Sequence, residues 1–569
     1  MPTSISPAPK APKAPETPET PEHAGPRSPG VTARSVAVSV AVLALIGALL
    51  ATVFGPDPRP SGQRSGDPDL VSRLEASLGE GRGLSAVSAA RIDAGGTAFA
   101  GLGDDLGGDG AAPSADTPFE LGSITKVFTG HLLADAVARG EMRLDDPLSR
   151  HLPELAGSPA GGVTLQQLAT HTSGLPRLPA GMVSLRSAFA PVDPYSDWSA
   201  QRVIDAARTT GADELGEPGE FEYSNFGMAL LGQAQARAGG ADSWADLAGE
   251  RLFTPLGMTA TRVVAAGDAE PAGLPTPRWA NGRAAQPWTG DGFAPAGTST
   301  RTTARDLARF AQAVLDGSAP GAQATRPVTT TGDGERLGLG WIVSASGSEG
   351  GEDGGGSELT WHNGGTGGMR TILALDPAAG RAGLALAVTD SSIDSLGVDL
   401  AGDSSTPLRT GPGVLGAVSL MVAGVVLLAL LVRLTRPSDR LRLASGVLDG
   451  GVATVLLAVA GPWNWLPAWA IGALLGVLVA AAVLSVAAMR GAPAVPAKGR
   501  VARVRVRGSQ RGHRRGHRLR ALLTAPDARE PPTLKTACRG ENCGTNSSSH
   551  HDTQFSGKCG GRAVRPGGW

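Results

Sequence analysis

The sequence has few lysines, few tyrosines and few cysteines for a chain of 569 residues. All three cysteines, Cys538, Cys543 and Cys559, lie close to the C-terminus. A disulfide scaffold, a thiolate metal site and a catalytic cysteine are therefore excluded from everything that precedes them. Glycine (81 residues) and proline (43 residues) are abundant, but together they stay below the roughly 25–30% of a composition that suggests disorder.

Four long apolar segments indicate helices that cross a membrane. The first, Val36–Phe54, contains no charged residue and has the length that spans roughly 30 Å of hydrocarbon. Three more lie at 414–432, 444–463 and 466–489, and the middle one is the weakest because it contains Asp449. A cleaved signal peptide is the alternative for the first segment, but the leader before it is unusually long and no clean Ala-x-Ala site follows it. We therefore expect an uncleaved anchor.

The distribution of basic residues orients these segments. Arginines crowd the short loop after residue 432, and residues 490–523 are rich in Lys and Arg without any acidic residue. By the positive-inside rule, both regions and the basic N-terminus lie in the cytoplasm. Residues 56–413 then lie outside, with the tryptophans of the last short turn at the outer interface.

Both ends of the chain are expected to be disordered. The N-terminal segment is rich in proline and lacks apolar periodicity, so it cannot bury enough surface to offset the entropy of ordering. In the C-terminal tail, the spacing of cysteines and histidines fits no familiar zinc pattern, although a zinc site is the alternative. The basic block follows a membrane helix directly, so we expect contact with anionic lipid rather than with nucleic acid. The expected parts are a disordered cytoplasmic tail (1–35), a transmembrane anchor (36–54), a linker (56–68), a folded outer domain (69–402), three transmembrane helices (414–489) and a basic, disordered cytoplasmic tail (490–569).

The outer domain carries both helical and strand patterns. Leu70–Leu78 and Ser123–Arg139 have helical periodicity, and the second ends at a glycine, as a helix C-terminus often does. A hairpin joins 86–92 to 97–101, and three further strand-like runs come near the end of the domain, at 339–343, 370–375 and 383–388. Strands at both ends with helices between them predict an antiparallel sheet completed by both termini, in the α+β class.

One lysine stands out because the domain uses arginine everywhere else. Lys126 is the only lysine between residues 14 and 497, and it follows Ser123 by three positions. At the start of a helix these two side chains share a face, with the serine near the positive end of the helix dipole. A partly desolvated lysine has a lowered pKa and can exchange a proton with the serine during acyl transfer. An isolated Ser-x-x-Lys is usually incidental, so this pair needs support from elsewhere in the sequence.

Two further motifs supply that support. One of only two tyrosines begins the sequence Tyr223-Ser224-Asn225, which can offer a phenolic proton donor or acceptor beside an amide. The other motif is Trp361-His362-Asn363-Gly364-Gly365, in which glycines let a substrate lie close and free N–H groups can face a developing oxyanion. Taken alone, the tyrosine could be a half-buried core residue and the histidine a hydrogen-bonded loop residue.

In this order and spacing, the three motifs resemble those of the serine β-lactamase and penicillin-binding superfamily, in particular the branch of class C β-lactamases, D-alanyl-D-alanine carboxypeptidases and related esterases. The family elements Ser-x-x-Lys, Tyr-x-Asn and (Lys or His)-x-Gly match residues 123–126, 223–225 and 362–364. The resemblance covers about residues 70–400. It extends to the segments at 119–122, 144–148, 167–175 and 295–300.

The resemblance implies an α/β sandwich-like catalytic domain with a helical subdomain and an acyl-enzyme mechanism that needs no cofactor and no metal. Ser123 would be the acylated nucleophile, and Lys126 and Tyr223 would share the general-base and general-acid work. The substrate would be a small molecule or a cell-wall peptide. A non-catalytic sensor of cell-wall peptides and a true class C β-lactamase remain as alternatives.

The same resemblance implies the binding residues. Asn225 would hold the substrate amide, and His362, two residues before Gly364, would assist the proton path or contact a substrate carboxylate. The backbone N–H groups of Ser123 and Gly365 would form the oxyanion hole. His-Asn-Gly replaces the Lys-Thr-Gly of many true β-lactamases, and a neutral imidazole binds a carboxylate less strongly than an ammonium does. Efficient β-lactam hydrolysis is therefore not expected, and no deacylating glutamate of the class A type can be assigned.

Overall fold

The computed structural model describes residues 33–492, apart from 57–58, 80, 105–109, 183–191, 280, 333, 346–357, 403–407, 409–410 and 436–437. The chain divides into two compact units, Met1–Pro496 and Ala497–Trp569, and every described residue belongs to the first. The predictions for the N-terminal tail before residue 33, and for the basic and cysteine-containing tail after residue 492, lie outside the described residues.

Two antiparallel sheets organise the outer domain. The strands are β1 Arg64–Gly66, β2 Leu84–Asp93, β3 Gly96–Gly103, β4 Pro118–Glu120, β5 Arg262–Val263, β6 Thr300–Thr303, β7 Thr329–Thr330, β8 Arg336–Leu337, β9 Ile342–Ala345, β10 Glu358–Gly365, β11 Met369–Asp376 and β12 Arg381–Thr389. The large sheet has the order β1-β3-β2-β12-β11-β10-β9-β8-β7, and the small one has the order β4-β6-β5. Because β2 pairs with β12, early and late segments of the domain complete one sheet, which confirms the predicted α+β class.

Helices flank the large sheet, form a helical subdomain and continue beyond the domain. They are α1 Ala33–Phe54, α2 Pro68–Leu78, α3 Thr125–Ala138, α4 Leu148–His151, α5 Leu165–Ala169, α6 Ala200–Thr209, α7 Asn225–Ala238, α8 Trp244–Ala248, α9 Ala304–Leu315, α10 Asp394–Ala401, α11 Gly413–Thr435, α12 Arg440–Ala460 and α13 Ala468–Met489. The helix predicted to start at Ser123 begins instead as a 3₁₀ turn, Gly122–Ile124, which leads into α3.

The side chains of β12 show how the layers are held together. Ala382, Leu384 and Leu386 enter the core that also contains the helical subdomain, whereas Ala385 and Ala387 enter a smaller core beneath α2 and α10. Alternate residues of a strand point to opposite faces, so a strand that is apolar throughout is covered on both sides. The sheet is therefore sandwiched between helical layers, as predicted.

The predicted strand at 339–343 is only partly correct, because β9 starts at Ile342. The residues before it pack backbone to backbone against α3. A Cβ atom on Gly130, in the middle of α3, would overlap the carbonyl oxygen of Leu339. The amide of Gly340 donates to the carbonyl of Ala169 at 3.0 Å. The close approach of Gly130 to Leu339 fixes the depth at which α3, the helix that carries Lys126, sits in the core.

Four helices, α1, α11, α12 and α13, are long and apolar enough to cross a membrane. Helix α1 packs against α13 through glycines, since a Cβ atom on Gly47 would overlap the backbone of Gly472. Such small residues allow close approach of membrane helices. Asp449, the residue that weakened the prediction of the third segment, forms an ion pair of 2.8 Å with Arg433 of the neighbouring helix.

We predict that Gly130→Ala destabilises the protein by about 1–3 kcal/mol, the usual cost of overpacking a core. Gly249→Ala is the matched control, because a Cβ atom there would meet no atom within 4 Å. The measurement is the Tm of the two full-length variants in detergent. Equal Tm values would show that α3 tolerates displacement from the Leu339–Gly340 segment.

Candidate active site

Ser123 and Lys126 are brought together by the turn that opens α3. The Nζ atom of Lys126 lies 2.9 Å from Ser123 Oγ and donates to the carbonyl oxygen of Ala296 at 2.7 Å. The lysine side chain is fully buried. No carboxylate pairs with it among the residues that the structure describes.

Burial determines the protonation state of this lysine. Loss of water lowers the pKa of Lys126 well below its ordinary value, and the positive charge of nearby Arg177 lowers it further. A neutral amine can still donate to Ala296 while its lone pair accepts the proton of Ser123. The arrangement can therefore activate the serine hydroxyl without any other base.

Tyr223 stands beside this pair on the loop that precedes α7. Its ring lies against that of His171, with centroids 4.5 Å apart and planes tilted by 38°. The amide of Ser224 donates to His171 Nδ1 at 3.2 Å. The Tyr223 hydroxyl forms a hydrogen bond with Ser123, while burial raises the pKa of Tyr223 above its ordinary value. The phenol therefore stays protonated at neutral pH, which suits the delivery of a proton to a leaving group.

Asn225 is held by the other tyrosine of the chain. Its Nδ2 donates to the hydroxyl of Tyr195 at 3.4 Å, and its Oδ1 is buried without a partner in the described part of the chain. A buried, unpaired acceptor is costly unless a ligand completes it, so Oδ1 is available to a substrate N–H. Sequence reasoning missed Tyr195, although the scarcity that singled out Tyr223 applied equally to it.

His362 lies within strand β10, with its ring centroid 6.4 Å from that of Tyr223. The distance from Nδ1 to the carbonyl oxygen of Asn363 is 2.5 Å. Because a carbonyl only accepts, Nδ1 carries the proton and Nε2 keeps its lone pair. Burial is the main cause that lowers the pKa of His362 to about 3. The imidazole is therefore neutral at physiological pH.

Glycines bring the nucleophile against strand β10. Gly122 has a φ of +62°, and a Cβ atom on it would lie 2.6 Å from the amide nitrogen of Gly365. A Cβ atom on Gly364 would lie 3.0 Å from the amide nitrogen of Ser123. The two backbone segments that carry the expected oxyanion-hole N–H groups therefore meet at a distance that only glycine permits.

Glu120 connects segments next to the nucleophile through hydrogen bonds to its carboxylate. One carboxylate oxygen accepts from the amide of Trp288 at 2.8 Å and the other accepts from the hydroxyl of Thr366 at 2.9 Å. Burial raises the pKa of Glu120 to about 7, against the opposing charge of Arg301. Glu120 thus links the strand before the nucleophile to the residue after Gly365. The sequence drew attention to its motif but not to this positioning role.

Comparison with known proteins identifies the family of this chain. The family model described as Beta-lactamase matches residues 71–401. The chain belongs to the Beta-lactamase family. D-alanyl-D-alanine-carboxypeptidase/endopeptidase AmpH of Escherichia coli K12 is 31% identical over 197 residues, which are 34% of this chain and 49% of that protein. Penicillin-binding protein 4 of Amycolatopsis lactamdurans is 34% identical over 154 residues, 26% of this chain and 37% of that protein.

The matches to these curated relatives cover less than half of their lengths. Among solved structures, a β-lactamase from Sulfitobacter sp. EE-36 is 22% identical, with a TM-score of 0.49 over 58% of this chain and 96% of that chain. The matched region of the Beta-lactamase family contains all of the predicted site residues, whereas α11, α12 and α13 lie outside it.

Not every motif shared with the Beta-lactamase family reaches the nucleophile. Asp146, in the segment 144–148, is buried and pairs with Arg150 at 3.1 Å and His151 at 2.9 Å. It also accepts from the amide of Arg143 at 2.9 Å. This segment therefore stabilises a loop of the helical subdomain.

We predict that Lys126→Arg lowers the rate of acylation by roughly 10³-fold or more, because a guanidinium is not deprotonated in proteins.

In the wild type the rate of acylation should fall as the pH falls through the Lys126 pKa, since protonation removes the base. That fall should occur well below pH 10.5. His362 stays neutral down to about pH 3 and should add no step between pH 5 and 9.

The measurement is the pH dependence of covalent labelling by a fluorophosphonate, with circular dichroism as the control for folding. Labelling of Lys126→Arg at the wild-type rate would mean that the lysine supplies charge alone.

Proposed function

We propose that the protein is a membrane-anchored serine hydrolase that forms an acyl-enzyme on a D-amino-acid peptide or on a small ester or amide. The observation that carries this proposal is the buried Lys126 amine, 2.9 Å from Ser123 Oγ and without a carboxylate partner among the described residues. A solvated lysine beside an incidental serine would not be buried in this way.

Acylation follows from the geometry. Lys126 Nζ accepts the proton as Ser123 Oγ attacks the substrate carbonyl carbon, and the N–H groups of Ser123 and Gly365 receive the developing oxyanion. Tyr223 gives a proton to the departing nitrogen or oxygen and can regain one from the protonated Lys126. Asn225 Oδ1 accepts from an N–H on the acyl part of the substrate. A water molecule then enters in place of the leaving group and attacks the carbonyl carbon of the acyl-enzyme. The same residues take a proton from this water and return one to Ser123 Oγ as the acyl group leaves.

The substrate class rests on His362 and on the relatives. A neutral His362 offers no positive charge to the carboxylate of a β-lactam, which favours peptides and esters over β-lactams. The name of AmpH assigns carboxypeptidase and endopeptidase activity to that protein. The closeness of Ser123, Lys126 and Tyr223 favours catalysis over the alternative of a non-catalytic sensor.

An outward-facing site is supported by contacts at one end of the helical bundle. Asn464, in the turn between α12 and α13, donates to Ser391 of the outer domain at 2.8 Å. The arginine-rich connection between α11 and α12 lies at the opposite end of these helices. Since basic loops stay in the cytoplasm, the domain faces away from it. Packing of α1 on α13 supports an uncleaved anchor.

We predict that the purified full-length enzyme hydrolyses a D-Ala-D-Ala peptide or a p-nitrophenyl ester faster than a chromogenic cephalosporin. The measurement is kcat/KM for the three substrates, with Ser123→Ala as the control that should abolish all turnover. Cephalosporin turnover that exceeds the other two by orders of magnitude would make the protein a β-lactamase. Turnover that survives Ser123→Ala would remove the assigned nucleophile.

We also predict that both termini are cytoplasmic. Protease added to intact spheroplasts should cleave within residues 56–413 and should spare epitope tags placed at either end, because the membrane shields them. Permeabilised cells are the control in which the tags should be digested. Tags that are lost from intact spheroplasts would contradict the four-crossing arrangement.

A further inference from the structure

Arg177 is an exposed arginine that lies beside Tyr223 of the active site. Its guanidinium carbon lies 5.1 Å from the centre of the Tyr223 ring. Among the described residues, no acidic side chain pairs with it. Other arginines of the domain are paired, for example Arg237 with Glu154 at 2.6 Å and Arg305 with Asp116 at 2.7 Å.

The backbone beneath this side chain is firmly held. The carbonyl oxygen of Arg177 accepts from the amides of Asn225 at 3.1 Å and Phe226 at 3.2 Å. The preceding carbonyl, that of Pro176, accepts from the hydroxyl of Ser224 at 2.8 Å. A fixed base with an unpaired guanidinium head is an arrangement suited to clamping an anion, because Arg binds carboxylates through two parallel hydrogen bonds.

The charge of Arg177 reaches into the site, where burial lowers the pKa values of the other basic groups. Its charge contributes to the lowered pKa values of both Lys126 and His171, behind the larger effect of burial. His362 is also neutral at physiological pH. Arg177 is exposed, lies beside Tyr223 and carries a guanidinium that stays charged, so it can offer a full positive charge to a substrate.

We propose that Arg177 binds a carboxylate on the acyl part of the substrate. Its backbone adjoins Asn225, the residue that holds the substrate amide on the acyl side under the proposed function, on which this inference rests. The preferred substrates are therefore acyl donors with an acidic side chain or a free carboxylate close to the scissile carbonyl, and neutral acyl donors are poorer.

The test compares two p-nitrophenyl esters of equal acyl length, the glutarate half-ester with a free carboxylate and the neutral valerate. For the full-length wild type in detergent, kcat/KM should be higher for the glutarate. Arg177→Gln should lower the glutarate-to-valerate ratio of kcat/KM by about tenfold, mainly through KM, as expected for one charge-assisted contact. Arg177→Lys should retain part of the preference, and added salt should weaken it because the site is exposed.

Arg202→Gln is the matched control, since Arg202 is another exposed arginine that lies over an aromatic ring, that of Trp198, at 4.3 Å. The glutarate-to-valerate ratio of kcat/KM for Arg202→Gln should equal that of the wild type. An unchanged ratio in Arg177→Gln, or an equal fall for both esters, would overturn the inference. A third ester, 3-(valeryloxy)benzoate, carries its carboxylate on the leaving group instead of the acyl part. If Arg177→Gln lowered kcat/KM more for that ester than for the glutarate, the acyl-side assignment would be overturned.

The outcome also separates this inference from the proposed function. A wild type that reacts with a fluorophosphonate at Ser123 but shows no preference for the glutarate overturns the role of Arg177 alone. A wild type that neither reacts with the probe nor hydrolyses any ester overturns the proposed function, and the inference falls with it.

Discussion

The packing of the outer domain around its active site depends on the burial of one amine, that of Lys126. When the chain unfolds, the side chain of Lys126 meets water and is protonated up to about pH 10.4, whereas burial in the folded protein lowers its pKa well below that value. The unfolded chain therefore binds a proton that the folded chain does not, and the folded state gains stability as the pH rises toward that value. The fold sustains the cost of this burial through the apolar packing around α3, where most side chains are fully buried.

The same constraint explains why the backbone around the nucleophile is so tightly packed. A loose site would admit water, which would restore the ordinary pKa of the lysine. Close approach of Gly122 to Gly365, and of Gly130 to Leu339, removes that space. Glu120, just before the nucleophile, also accepts hydrogen bonds from Trp288 and from Thr366, the residue after Gly365. The same contacts thus exclude water from the site and hold the catalytic residues in position.

The sequence allowed the prediction of those features that depend on local patterns. Alternation and turn residues located β2, β3, β11 and β12 to within a few residues, because each strand carries its own periodicity. The Ser-x-x-Lys spacing singled out Ser123 and Lys126, since helical geometry fixes the relation between neighbours on one face. Scarcity of lysine and tyrosine added weight that spacing alone lacked.

What could not be predicted depends on contacts between distant segments. Tyr195 contacts Asn225 across 30 residues and Glu120 contacts Thr366 across 246, and no local pattern encodes either pairing. The late start of β9 has the same origin, because the Leu339–Gly340 segment is shaped by its contact with α3. Arg177 follows a recognised motif, yet only the structure shows that no carboxylate of the described residues pairs with it.

The outer domain is connected to apolar helices at both ends, to α1 before it and to α11 after it. With α1 retained against α13, a single cut in either connection leaves the domain attached through the other. Under the proposed four-crossing arrangement, two attachments also restrict how far the domain can rise or turn, which would keep the cleft within a thin layer above the lipid. Substrates would then have to come to that layer, and the enzyme would not act in the space beyond it.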